Sequence, residues 1–155
     1  MQPSANVHGT ALVLGECGLL LRGPSGAGKS LLALAMLERW EGRGETAMLV
    51  SDDRVDLIAE ADGIIMQAPA ALAGMIELRG RGIVSRPHLK SARLHLVIDL
   101  VPDLVRMLEP SELQTELLGH RLARAPVPQT GVVGLDHQQL LVIEAMRASA
   151  HRNRT

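Results

Sequence analysis

The run Gly23-Pro24-Ser25-Gly26-Ala27-Gly28-Lys29-Ser30 constrains this chain more than any other stretch, because it fits the phosphate-loop pattern G-x-x-x-x-G-K-[ST] at every fixed position. Glycines let the backbone turn so tightly that successive N–H groups converge on one oxyanion, and Lys29 brings a positive charge to the outer phosphates. Ser30 offers a hydroxyl to Mg2+. The flanks supply the context this pattern needs. Gly18 to Arg22 reads as a strand running in, and Leu31 to Trp40 as a helix running out. A phosphate would then sit at a helix N-terminus, where unpaired N–H groups and the dipole both favour it. Lysine is otherwise scarce, with Lys90 the only other one, so the match does not follow from a lysine-rich composition.

At 155 residues the chain suits one domain spanning 1–155, long enough to bury on the order of 70% of its unfolded surface. Of its residues 46% are hydrophobic, yet there is one tryptophan and no phenylalanine or tyrosine, so the core must come from Leu, Val, Ile, Ala and Met. A nucleic-acid ligand is not expected: aromatic platforms are missing and the formal charge is -1. Cys17 stands alone and no Cys/His cluster has zinc spacing, which points to a reducing compartment. The first residues lack a basic-then-apolar leader, and no apolar segment approaches the ~18 residues a membrane span needs. A cytoplasmic protein without a membrane partner is the expectation.

Along the chain, Thr10 to Leu14 and Leu19 to Leu21 flank Gly15-Glu16-Cys17-Gly18 and read as a hairpin feeding the loop. After the first helix, Thr46 to Ser51 is a buried strand ending at Asp52-Asp53. Val55 to Glu60 and Ile64 to Gln67 make a second hairpin turning at Ala61-Asp62-Gly63. Pro69 to Gly74 is a connection with a helical turn. Met75 to Val84 reads as one apolar strand carrying Glu77 and interrupted by Gly80 and Gly82, and Ser85 to Ser91 as a surface loop. Arg93 to Leu100 is a further strand. From Pro102 to Gln129 the pattern is least legible, with Leu113 to Leu118 open between helix and strand and Arg121 to Val127 extended. Leu135 to Ala150 has helical spacing. Strands outnumber helices, so the fold class is α/β with a mixed sheet rather than a regular doubly wound one.

Phosphoryl transfer needs a donor cradle, a metal to neutralise charge, and a group that orients or deprotonates the acceptor. Asp52 and Asp53, at the end of the strand after the loop helix, are candidates for the second and third. Adjacent acids on a strand point to opposite faces, so the two should differ in role. Glu77, near the glycines, is a candidate metal ligand. His8 is a candidate to assist proton transfer, a role that suits the imidazole side chain. The other histidines show no ligand spacing and read as structural, and Arg79, Arg81, Arg86 and Arg93 read as a solvated basic face.

Three blocks taken together resemble the C-terminal catalytic domain of HPr kinase/phosphorylase: Val7-His8-Gly9, the loop followed by Leu49 to Val55, and Ile76-Glu77-Leu78-Arg79-Gly80-Arg81-Gly82-Ile83-Val84. The last is the specific one, since phosphate loops are shared by many enzymes. The resemblance implies a P-loop kinase-like mixed sheet with added hairpins, a helix after the loop and a C-terminal helix. It implies an enzyme that phosphorylates a serine of the phosphocarrier protein HPr, or its nitrogen-related paralogue, with ATP and Mg2+. It also implies the reverse phosphorolysis, which consumes phosphate and releases pyrophosphate, and a hexameric assembly. Carried over by position, His8 is the catalytic histidine, Lys29 the loop lysine, Ser30 and Glu77 the metal pair, and Asp52-Asp53 the acids that include the proton acceptor, without saying which of the two it is. His8 stands so near the start that the chain resembles the short, alphaproteobacterial form without an N-terminal domain. Where the family carries an arginine near the C-terminus, this chain reads Ala125-Pro126-Val127-Pro128-Gln129-Thr130-Gly131, so phosphorolysis is less firmly expected than phosphorylation. A small-molecule or nucleotide kinase and a non-catalytic nucleotide-binding regulator are the alternatives.

Overall fold

Alternating apolar residues and glycine punctuation lay out twelve strands and two α-helices among the described residues. The structure, a computed structural model, describes residues 2–153, so positions 1, 154 and 155 of the expected domain lie outside the described residues. In chain order the elements are β1 (Ser4–His8), β2 (Thr10–Leu14), β3 (Cys17–Arg22), α1 (Lys29–Gly42), β4 (Ala47–Ser51), β5 (Arg54–Glu60), β6 (Gly63–Gln67), β7 (Met75–Leu78), β8 (Gly82–Ser85), β9 (Ser91–Arg93), β10 (Leu96–Val101), β11 (Gln114–Leu117), β12 (His120–Pro128) and α2 (Leu135–Asn153). One short 3-10 turn covers Ala70–Leu72 and another Pro110–Leu113.

The central sheet has the order β11-β12-β10-β3-β2-β4. Its middle strands, β12, β10 and β3, run parallel, while β2 pairs antiparallel with both β3 and β4. A second sheet, β1-β5-β6-β9, is wholly antiparallel. The α/β class and mixed sheet expected from the sequence are therefore found.

Three layers result. One face of the central sheet packs Leu12, Leu19, Leu21, Leu96 and Ile98 against Leu32, Met36, Leu37 and Trp40 of α1 and Val142 and Ile143 of α2. The other face presents Ala11, Val13, Leu20 and Val97 to Val55, Leu57, Ile64 and Met66 of the second sheet. In β2 all five residues are buried, as expected of a strand covered on both faces. β5 and β6 alternate cleanly, because only one of their faces is covered. With no Phe or Tyr, branched aliphatics fill both interfaces, and the lone Trp40 is capped by the Arg43 guanidinium 4.7 Å from its ring centre.

Several elements depart from the sequence reading. β1 was not expected, being short and half polar. The single strand expected over Met75 to Val84 is instead a two-stranded hairpin, β7 with β8, pairing Met75 with Ser85 and Leu78 with Gly82. Gly80 and Gly82 adopt φ of 94° and 112°, and the Arg81 N–H closes the turn on the Leu78 carbonyl at 2.9 Å. The loop after it is also more than surface: Leu49 N–H donates to the Pro87 carbonyl and Leu89 N–H to the Leu49 carbonyl, both at 2.9 Å, along the outer edge of β4. Leu113 to Leu118 resolves into the end of a 3-10 turn followed by β11.

Leu20 is fully buried between the two sheets. Leu20→Ala should cost about 2–5 kcal/mol of stability, read as a lower urea midpoint; a midpoint unchanged from the parent would show that the second sheet is not packed there.

Candidate active site

The phosphate loop joins β3 to α1 and opens the helix without a side-chain cap. Gly28 is the N-cap at φ 98°, and the first turn carries no acid, so the leading N–H groups are left for an anion. A side chain at Gly28 would also overlap the Thr130 hydroxyl, which arrives from the loop after β12 and is anchored by Thr130 N–H to the Ala27 carbonyl at 3.0 Å. Lys29 is nearly buried and donates to the Gly23 and Pro24 carbonyls at 2.6 and 3.0 Å. Burial lowers its pKa, while the charges of Asp52 and Asp53 act in the opposite direction. Ala27 is buried beneath the loop.

The two aspartates are not on a strand. They form the turn between β4 and β5, with Asp53 in the left-handed region at φ 72°. It is this turn, rather than the pleat of a strand, that sends them apart. The Asp52 carboxylate accepts hydrogen bonds at its Oδ1 from the hydroxyls of Thr10 and Ser30, each at 2.8 Å. Asp53 Oδ1 lies 2.9 Å from His8 Nε2, with the Asp53 side chain well exposed. Backbone bonds brace the turn: Gly9 N–H donates to the Asp53 carbonyl at 3.0 Å and Arg54 N–H to that of Asp52 at 2.9 Å.

A cavity of about 590 Å³, of ordinary ligand size, gathers these groups. His8, Ser25, Gly26, Gly28, Lys29, Ser30, Asp52, Asp53 and Glu77 line it, while Gly23 and Pro24 contribute carbonyls to Lys29 from behind. Glu77 enters from β7 on the facing hairpin, whose Met75, Ile76 and Ile83 make an apolar wall. Among the described residues no three His, Cys, Asp or Glu gather at metal-binding spacing. Hydroxyl and carboxylate oxygens without an all-protein cage suit Mg2+, which keeps waters and substrate phosphates in its shell.

The basic residues do not act as one face. Arg79 lines the cavity, Arg86 pairs with Glu38 at 3.0 Å and Arg93 with Asp62 at 3.3 Å. His95 and His120 serve structure: His95 Nδ1 accepts the Gly18 N–H at 2.9 Å, and His120 Nε2 lies 2.8 Å from the Glu60 carbonyl.

The family model described as the HPr Serine kinase C-terminal domain matches residues 1–146. The chain belongs to that family. The match runs through most of α2, so the HPr serine kinase likeness extends beyond the three blocks that first suggest it. Among curated proteins the chain is 36% identical over 108 residues to the HPr kinase/phosphorylase of Clostridium novyi, covering 64% of this chain and 33% of that protein. With the HPr kinase/phosphorylase of Bordetella pertussis it shares 35% over 109 residues, 65% of this chain and 33% of the other. The chain thus spans about a third of the length of these relatives. The solved structure of the Hpr(Ser) kinase/phosphatase from Coxiella burnetii superposes with a TM-score of 0.76 at 26% identity, covering 97% of this chain and 99% of that one.

Sequence reasoning missed three features. Thr10 looked like the first residue of an apolar strand, and Thr130 like loop. The third is a bridge of Arg22, the last residue of β3, with Asp99 within β10 and Arg124 within β12. Arg22 reaches Asp99 through Nε and Nη2 at 2.8 and 2.9 Å, and Arg124 Nε donates to it at 2.6 Å. A lone acid amid the apolar β10 was the available signal. Burial alone raises the Asp99 pKa, but the hydrogen bonds and charges of the two guanidiniums outweigh it and hold the carboxyl below the ordinary range. With a lowered folded pKa, the bridge stabilises above the unfolded carboxylate pKa and loses its contribution as pH falls through the folded value. Asp99→Asn should therefore cost about 3 kcal/mol at neutral pH, with the gap from the parent narrowing in strong acid. Urea titrations at neutral and acid pH read this directly; a pH-independent gap contradicts it.

Proposed function

We propose that the chain is an ATP- and Mg2+-dependent protein-serine kinase whose acceptor is HPr or its nitrogen-related paralogue. Family membership and the names of the relatives support the acceptor. The observation that carries the chemistry is the division of the acid pair. Asp52 is tied to the phosphate-loop serine, and Asp53 to His8 at the open side of the cavity.

In this reading the freed N–H groups of α1 and Lys29 hold the nucleotide phosphates, and Lys29 exchanges its two loop carbonyls for phosphate oxygens. Ser30, with Asp52 beside it and Glu77 across the cavity, would hold Mg2+, which when bound would supply positive charge against the nucleotide phosphates. Asp53 is the base. Its exposed carboxylate takes the proton of the acceptor serine as the serine oxygen bonds to the γ-phosphorus and the bond to the bridging oxygen breaks, releasing ADP. His8 keeps that carboxylate aimed. In phosphorolysis Asp53 returns the proton to the serine oxygen while inorganic phosphate takes the phosphoryl group and becomes pyrophosphate. Thr130 stands on the loop where the family carries its arginine, and a neutral hydroxyl offers no charge to the phosphoserine. The forward reaction is accordingly the main one.

Incubation with γ-labelled ATP, Mg2+ and purified HPr should place label on a carrier serine. Label on a small molecule would favour a small-molecule kinase, and binding without turnover a regulator. Asp53→Asn should lower transfer by about 10²–10⁴-fold while ATP binding stays intact; near-parental transfer removes Asp53 as the base. Phosphoserine-HPr mixed with phosphate should release little pyrophosphate, and rapid release would show that the loop arginine is dispensable.

A further inference from the structure

Three consecutive residues, His8, Gly9 and Thr10, grip the turn that carries the two acids. His8 holds the Asp53 carboxylate at 2.9 Å, the Gly9 N–H holds the Asp53 carbonyl at 3.0 Å, and the Thr10 hydroxyl holds the Asp52 carboxylate at 2.8 Å. Glycine is needed in the middle, since a Cβ there would stand 2.7 Å from the Leu21 carbonyl oxygen of the neighbouring strand. The turn needs holding, because Asp53 sits at φ 72°, a conformation that costs a non-glycine residue on the order of 1–2 kcal/mol.

Within this grip Thr10 differs from its neighbours. It is fully buried at the first residue of β2, its backbone paired with Leu21, so the hydroxyl has one direction to point. Both hydroxyls that reach Asp52 land on the same oxygen, Oδ1, and neither uses Oδ2. Ser30 has a second duty in the proposed chemistry, offering a lone pair to the metal. Thr10 has only this one.

We propose that Thr10 is a positioning residue that fixes the rotation of the Asp52 carboxylate and so sets the Mg2+ dependence of nucleotide binding. The proposal rests on the reading of Asp52 and Ser30 given above. A threonine retained only for packing would be replaceable by valine, which has nearly the same shape but no donor.

The test measures the affinity of the non-hydrolysable ATP analogue AMP-PNP by calorimetry, with and without Mg2+, together with the melting temperature of the free protein. Thr10→Val should bind the metal-free nucleotide within about twofold of the parent, yet lose about tenfold of the affinity that Mg2+ adds, the scale of one hydrogen bond to a charged group. Thr10→Ser keeps the hydroxyl and drops a methyl; it should melt lower while keeping the metal-dependent gain. A Thr10→Val protein with the whole gain overturns the proposal, as does one weakened equally with and without Mg2+, which would mark Thr10 as packing alone. Should Thr10→Val fail to fold, Thr10→Ser still decides: loss of the metal-dependent gain there overturns the proposal. A parent that gains nothing from Mg2+ overturns it as well. No acceptor protein enters this measurement, so a failure of HPr labelling with these results intact would remove the acceptor assignment and leave Thr10 in its role.

Discussion

One carboxylate oxygen, Asp52 Oδ1, joins three separate parts of the chain. It accepts from Thr10 at the start of β2 and from Ser30 at the start of α1, and is itself carried by the turn after β4. Charge-assisted bonds in a partly buried setting are among the stronger polar contacts a protein makes. Remove this one and the helix that opens the phosphate loop, the strand beside the loop's own strand and the acid turn lose their common reference. The surrounding layers explain why such a junction can exist. β2 is buried on both faces, so its end cannot drift, and α1 is pinned by Leu32, Met36, Leu37 and Trp40 against the same sheet.

The bridge of Arg22, Asp99 and Arg124 does comparable work on the other side of the loop. It ties Arg22, the last residue of β3 and directly before the Gly23 turn, to Asp99 within β10 and Arg124 within β12, across three parallel strands. A compact set of charges ties the three strands to one another, at a desolvation cost that two guanidiniums on one carboxylate can offset.

Much of the site was legible in the sequence because phosphate loops are local. Gly23 to Ser30 specify their own backbone shape, and the flanking apolar runs specify the strand and helix. The resemblance located His8, Asp52-Asp53 and Glu77, and all of them line one cavity. What escaped is what depends on tertiary approach. Periodicity treats Thr10 as a strand residue, and nothing local says that its hydroxyl meets an acid 42 positions away. The different settings of Asp52 and Asp53 were invisible for the same reason: strand alternation predicted the right divergence from the wrong cause, the actual one being a left-handed residue in a turn. The β7–β8 hairpin was missed because its arms are equally apolar, and only the φ values of Gly80 and Gly82 reveal the reversal.

The loop carrying Pro87 and Leu89 along β4 has a consequence for how the molecule meets its own copies. A sheet margin with free N–H and carbonyl groups is a template on which other chains can stack. At Leu49 both groups are already engaged by that loop, and a proline within it has no N–H to pass the ladder onward. Arg86, anchored to Glu38 of α1, keeps the cover seated. At the middle of β4, then, strand addition, the common route from an aliphatic-rich sheet to aggregates, meets a position already taken by the segment that leads out of the Glu77 hairpin.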